Sequence, residues 1–242
     1  MIVLFTDFGE HGPYVGQMKA VLAQQAPAVP IIDLQHDVPC FDVIAAAHLL
    51  AAYQGAFPAG SIFLAVVDPG VGSPTCKPVV VKVDGRWFVG PDNGLFEVLA
   101  ARGNDAQWRE ISWRPETLSH SFHGRDLFAP VAAGLARGEL PAGNIITSHA
   151  ASISTDDLNN IIYIDYFGNA ITGLRAVNLK KAMTLRVGGD SLNHAQTFSE
   201  VALGQAFWYQ NANGLVEISV NQGHAATLLK LRLGDSVTIS SN

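Results

Sequence analysis

The chain has 242 residues, 48% of them hydrophobic and 15% charged, with a formal net charge of −6. That balance excludes a disordered chain and, with no Lys/Arg block, a binder of nucleic-acid backbones. No apolar run reaches the roughly 18 residues of a membrane span, and two cysteines, Cys40 and Cys76, exclude a disulfide framework or a four-thiolate zinc site. The opening MIVLFTDFG lacks a basic leader and reads as a buried strand, not a signal peptide. The expectation is a soluble, cytoplasmic enzyme with a small acidic surface excess and no nucleic-acid or membrane partner.

In chain order, residues 2–5, 30–33, 61–67 and 78–83 are continuous β-prone runs, as expected of strands buried on both faces. Between them, residues 14–25 carry Val15, Met18 and Leu22 at helical spacing, and Pro27 ends that helix. Residues 41–53, 94–101 and 126–136 predict further helices, the last with Pro130 near its first turn. Alternating strands and helices predict an α/β domain with a mostly parallel sheet over residues 1–148. From residue 158 to 242 the pattern changes. Short strands at 160–165, 183–187, 206–210, 215–220 and 236–240 are divided by Gly/Asn/Asp punctuation, which predicts a smaller all-β, barrel-like domain. Residues 149–157, in a Ser/Thr/Ala/Gly-rich stretch, read as the linker.

Asp7 follows the first strand in Thr6-Asp7-Phe8-Gly9, and Asp68 follows the third in Asp68-Pro69-Gly70-Val71-Gly72. In open α/β sheets, ligands bind beyond the carboxyl ends of strands, so two acids at such ends are set to face one crevice. Either acid alone also suits a plain turn or helix cap. His120-Ser121-Phe122-His123-Gly124-Arg125-Asp126 opens a helix pattern, where free N–H groups favour an anion or oxyanion. The same spacing is open to a metal cluster, but no third ligand is offered and no zinc signature is complete. Asp165-Tyr166-Phe167-Gly168-Asn169 joins an acid, aromatic faces and an amide, a mixture suited to a planar base and a cation, or to a hairpin turn. Aromatic runs such as Trp208-Tyr209 are more often core.

Together, Thr6-Asp7-Phe8-Gly9 with Tyr14-Val15-Gly16-Gln17-Met18-Lys19, Val67-Asp68-Pro69-Gly70-Val71-Gly72, Gly90-Pro91-Asp92-Asn93-Gly94-Leu95, Phe122-His123-Gly124-Arg125-Asp126-Leu127, Asp165-Tyr166-Phe167-Gly168-Asn169-Ala170 and Gly223-His224-Ala225-Ala226 resemble the S-adenosyl-L-methionine hydroxide adenosyltransferases, relatives of fluorinase and chlorinase. The resemblance runs along nearly the whole chain. It implies an α/β domain, a C-terminal β-barrel and a homotrimer with active sites where one subunit's N-terminal domain meets a neighbour's C-terminal domain. It also implies a reaction: water or hydroxide attacks ribose C5′ of S-adenosylmethionine, releasing adenosine and L-methionine, with neither metal nor other cofactor.

By the same resemblance, Asp68 orients the attacking water with His123 as partner, Asp7 accepts both ribose hydroxyls, Phe8 is a further substrate-binding residue, and Asp165 takes the methionine ammonium. Phe41, Phe167 and Trp208 enclose the adenosine; Asn169 and the backbone at Ala225 read the adenine edge; Asn211 holds the methionine carboxylate. Three departures stand out. Thr75 occupies the place of an arginine that usually joins the Asp and His, leaving Lys77 as the nearest substitute cation; Ala212 replaces a serine; Gly12 stands where an Asp is frequent. Halide chemistry is disfavoured, because a carboxylate in the nucleophile pocket repels a halide. The alternative is a catalytically weak protein that binds adenosine or S-adenosylmethionine as a sensor or sequestering module.

Overall fold

In the computed structural model, which describes residues 1–146 and 153–241, the chain divides into two compact units, Met1–Thr155 and Asp156–Asn242. Residues 149–152 of the expected 149–157 linker lie outside the described residues.

The first unit is built on strands β1 (Ile2–Thr6), β2 (Ile31–Gln35), β3 (Ile62–Val66), β4 (Pro78–Val83), β5 (Arg86–Pro91), β6 (Gln107–Glu110) and β7 (Ile145–Ile146), with helices α1 (Tyr14–Gln25), α2 (Val43–Tyr53), α3 (Glu97–Arg102) and α4 (Ala129–Ala136). One seven-stranded sheet runs β2-β1-β3-β5-β4-β6-β7. It is mixed: β1 pairs in parallel with β2 and β3, and β3 with β5, whereas the β4–β5, β4–β6 and β6–β7 pairs are antiparallel. The mostly parallel sheet expected from sequence is corrected to this extent. Its cause is local: Asp84-Gly85, both at positive φ, turns β4 straight back as β5, so no crossover helix intervenes.

β1 and β3 are buried along their whole length, as their unbroken apolar runs require. Each large side chain so buried contributes about 1.5–3 kcal/mol. On one face Ile2, Leu4, Leu64 and Val66 pack with Met18 and Leu22 of α1 and Val131 of α4. α2 starts two residues later than its apolar pattern because Asp42 caps it, Oδ1 accepting from Ala45 N–H at 2.9 Å. Pro130 falls in the first turn of α4, after a π-helical turn over Gly124–Phe128.

The second unit holds β8 (Leu158–Ile164), β9 (Ala170–Arg175), β10 (Met183–Val187), β11 (Asp190–Leu192), β12 (Ala206–Gln210), β13 (Leu215–Val220), the short α5 (Ala225–Leu228) and β14 (Thr238–Ser241). They form two antiparallel sheets, β11-β10-β14 and β12-β13-β9-β8. Strand alternation divides the second sheet: Trp208 and Ile218 face the unit's core with Leu185 and Val187, while Tyr209 and Glu217 pair across strands on the opposite face.

Candidate active site

Asp7 and Asp68 both stand just past parallel neighbours, β1 and β3. The loops after β1 and β2 are laced together: Gly9 N–H donates to His36 O at 2.7 Å, Val38 N–H to Thr6 O at 3.3 Å, and Phe41 N–H to Asp7 Oδ2 at 3.0 Å. Partial burial pushes the Asp7 carboxyl above the usual range. Phe41, at φ 64°, is 73% exposed, so its ring is offered outward beside that carboxylate. Phe8 instead packs its ring against Tyr14 and Phe122, with centroids 5.9 and 6.0 Å away.

The Asp68 loop is fixed from three sides. Asn93, in the Gly90–Leu95 motif, donates its amide to Val67 O at 2.8 Å and so pins the end of β3. Gly72, at φ +83°, packs where a Cβ would lie 2.7 Å from His120 O, which brings this loop against the one carrying His123. Gly70 N–H donates to Asp68 Oδ1 at 3.2 Å, and the Cys76 thiol lies 3.8 Å from the same oxygen.

Burial raises the Asp68 carboxyl above its ordinary value, against the Gly70 hydrogen bond and the field of His123, while Asp7 adds to the rise. His123 is lowered, first by burial, although Asp68 opposes this. The Cys76 thiol is pushed up to about 12 by burial and by Asp68 and Asp92. A partly buried carboxylate of raised basicity with a histidine in its field can take a proton from water.

The expected cation does not reach this carboxylate. Lys77 Nζ sits 2.8 Å from Glu110 Oε2, which corrects the substitution expected of it; strand β4 begins at the next residue, and β6 pairs beside it. Thr75 hydrogen-bonds Ser73 within its own loop. Arg125 grips Asp126 with two bonds, of 2.6 and 3.0 Å. Among the described residues no group of three or more His, Cys, Asp or Glu is arranged to hold a metal ion.

The second unit carries a pocket of about 820 Å³, within the range of small-molecule sites. Asp165, Phe167, Asn169, Tyr209, Asn211 and Glu217 are among the residues that line it. Asp165 accepts from Asn169 N–H at 2.8 Å and from its Nδ2 at 2.9 Å, which fixes the amide's orientation. Gly168, at φ +82°, makes that turn possible: a Cβ there would overlap the His224 ring. Phe167 is 72% exposed, a free aromatic face at the rim.

Trp208, expected to enclose the adenosine, does not line this pocket. Strand alternation turns it into the core, where its indole donates to Met183 O at 3.2 Å. Ala225 is buried at the start of α5, directly after the pocket residues Gly223 and His224. Asn93, Cys76 and Glu217 were not foreseen as site residues. For Glu217 there was a signal: an acid inside the apolar run Leu215–Val220.

An α/β unit with carboxylates at parallel strand ends, joined to a β unit with a polar, aromatic-rimmed pocket, defines a two-domain enzyme that acts on a small molecule. The family models for the N-terminal and C-terminal domains of SAM hydroxide adenosyltransferase match residues 2–145 and 159–238. The chain belongs to the SAM hydroxide adenosyltransferase family. It is 36% identical over 258 residues to the (R)-S-adenosyl-L-methionine hydrolase of Thermus thermophilus, covering 98% of each chain. A crystal structure of an uncharacterized conserved protein from Thermotoga maritima superposes with a TM-score of 0.89 at 34% identity, covering 99% of both chains. A fluorinase of an Actinoplanes species is a more distant relative, 24% identical over 99% of this chain and 97% of its own.

Proposed function

We propose that the protein hydrolyses S-adenosyl-L-methionine at ribose C5′, giving adenosine and L-methionine. The observation that carries this reading is Asp68: a partly buried carboxylate at the end of β3, raised in basicity, with His123 and Asp7 as the charges acting on it. A water oxygen forms the new bond to C5′ as the C5′–S bond breaks. The bonding pair leaves on sulfur, which becomes the neutral thioether of methionine, and the water's proton passes to Asp68 or solvent. The sulfonium is already a good leaving group, so the protein's task is placement and removal of excess water.

In this reading Asp7 holds the ribose hydroxyls and Phe41 and Phe167 cover the nucleoside. Asn169 reads the adenine edge and Asp165 takes the methionine ammonium. The assembly is a homotrimer. Purified protein incubated with S-adenosylmethionine is expected to release adenosine, followed by chromatography. Asp68→Ala is expected to lower kcat by about 100-fold or more with little change in substrate binding. Binding of S-adenosylmethionine without adenosine above a buffer blank would overturn the reading. One observation favours a second reading, a weak catalyst that retains adenosine: Lys77 is engaged by Glu110 and does not replace the family's arginine. Repeated turnover excludes it.

A further inference from the structure

We propose that Glu217 is a positioning and specificity residue of the C-terminal pocket: it sets the orientation of Asn211 and Tyr209 and, with Asp165, selects a cationic sulfonium over its neutral thioether. The inference rests on the substrate proposed above and adds a residue and a basis for selectivity to it.

Glu217 stands in the middle of β13 and is only 6% exposed. A carboxylate so removed from water is costly unless it is hydrogen-bonded, and an apolar or neutral side chain would serve the strand at least as well. Its oxygens are nevertheless well supplied. Oε1 accepts from the Tyr209 hydroxyl at 2.5 Å and from Ser219 Oγ at 3.4 Å, and Oε2 accepts from Asn211 Nδ2 at 3.0 Å. Tyr209 is the residue directly opposite Glu217 in the β12–β13 register, so the two share the face that looks into the pocket. Burial and the Glu217 carboxylate hold the Tyr209 phenol well above its usual range, so it remains a donor.

The far end of the Asn211 amide is also assigned. Its Oδ1 accepts the N–H groups of Asn213 and Leu215, both at 3.0 Å. With Nδ2 on Glu217 and Oδ1 on the turn, the amide has one orientation, and residues 211–213 are held as a wall of the pocket. The Asp165–Asn169 pair repeats the arrangement: a carboxylate orients an amide that a ligand would meet.

The charge balance gives the second half of the inference. Among the described residues, the side chains lining this pocket include the carboxylates of Asp165 and Glu217 and the imidazole of His224, and neither lysine nor arginine. Two carboxylates in a partly enclosed site favour a positive ligand. The sulfonium substrate carries such a charge; the thioether left by removing its methyl group has the same nucleoside and amino acid without it.

The test compares S-adenosyl-L-methionine with S-adenosyl-L-homocysteine on the full-length protein and on Glu217→Gln, which keeps shape and removes charge. Calorimetry gives Kd for the thioether, and kinetics give KM and kcat for the sulfonium. If the wild type does not turn over, calorimetric Kd replaces KM, so the comparison survives failure of the hydrolase reading. Glu217→Gln is expected to raise KM for the sulfonium about tenfold, leave kcat within about twofold, and weaken the thioether less than about threefold. Tyr209→Phe removes a donor but no charge, and is expected to keep the wild-type ratio of the two affinities. Equal weakening of both ligands in Glu217→Gln, or no change in either, would overturn the proposal. Should Glu217→Gln fail to fold, the salt dependence of wild-type binding stands in for it: a sulfonium affinity that weakens with ionic strength several-fold more than the thioether's supports the proposal, and equal weakening of the two overturns it.

Discussion

The role proposed for Asp68 carries a cost to stability. Its folded pKa is raised, so between the ordinary value of 3.8 and that raised value the folded chain holds a proton the unfolded chain releases. The contribution of this one carboxyl to stability is therefore fully present below 3.8 and is lost as pH rises through the folded pKa. Asp68→Asn removes this penalty: at pH 7 Tm is expected to rise by roughly 2–4 °C while activity collapses, and near pH 3 the gain disappears. Thermal melts at both pH values check this. The same shift places the acid limb of kcat/KM above the usual aspartate range. His123, lowered by burial, has the opposite sign: the stability it contributes as a neutral ring is lost as pH falls through its unfolded value of 6.5. Cys76 offers an independent probe. With a pKa of about 12, only about one thiol in 10,000 is ionised at pH 8. Iodoacetamide at that pH is expected to label the exposed Cys40 and spare Cys76, as read by peptide mass spectrometry.

At the scale of elements, the strand ends and the loops between them make the site. Asn93 is the clearest example, a side chain from the loop after β5 that holds the last carbonyl before Asp68. Asn93→Ala frees that carbonyl and is expected to lower kcat about tenfold or more while leaving KM for S-adenosylmethionine within about threefold, measured by steady-state kinetics. β1, β3 and α1 were legible in the sequence because continuous apolar runs and an i, i+4 pair have few alternatives. β6 was not, since Gln107–Glu110 is polar at both ends and gains its place by pairing with β4 and β7. β9 escaped too, because Gly173 interrupts its apolar run, and only the structure shows why: Leu158 fills the space a Cβ would need. The acids Asp7, Asp68 and Asp165 stood out in the sequence because each follows a recognisable strand. Trp208 was misplaced, since an aromatic run does not by itself say which residue faces the core.

For the whole molecule, the two family models divide the chain much as its compact units do. The α/β unit carries the carboxylate proposed to aim water; the β unit carries the pocket proposed to hold the nucleoside and amino acid. Neither half is expected to turn over substrate alone. The homotrimer proposed here predicts a solution mass of about three times 25.8 kDa by light scattering. The chemistry itself is read most directly by isotope. Turnover of S-adenosylmethionine in ¹⁸O-labelled water is predicted to place one heavy oxygen in adenosine, at the 5′-hydroxyl, and none in methionine. Adenosine formed without that label would contradict water attack at C5′, whatever its rate of appearance.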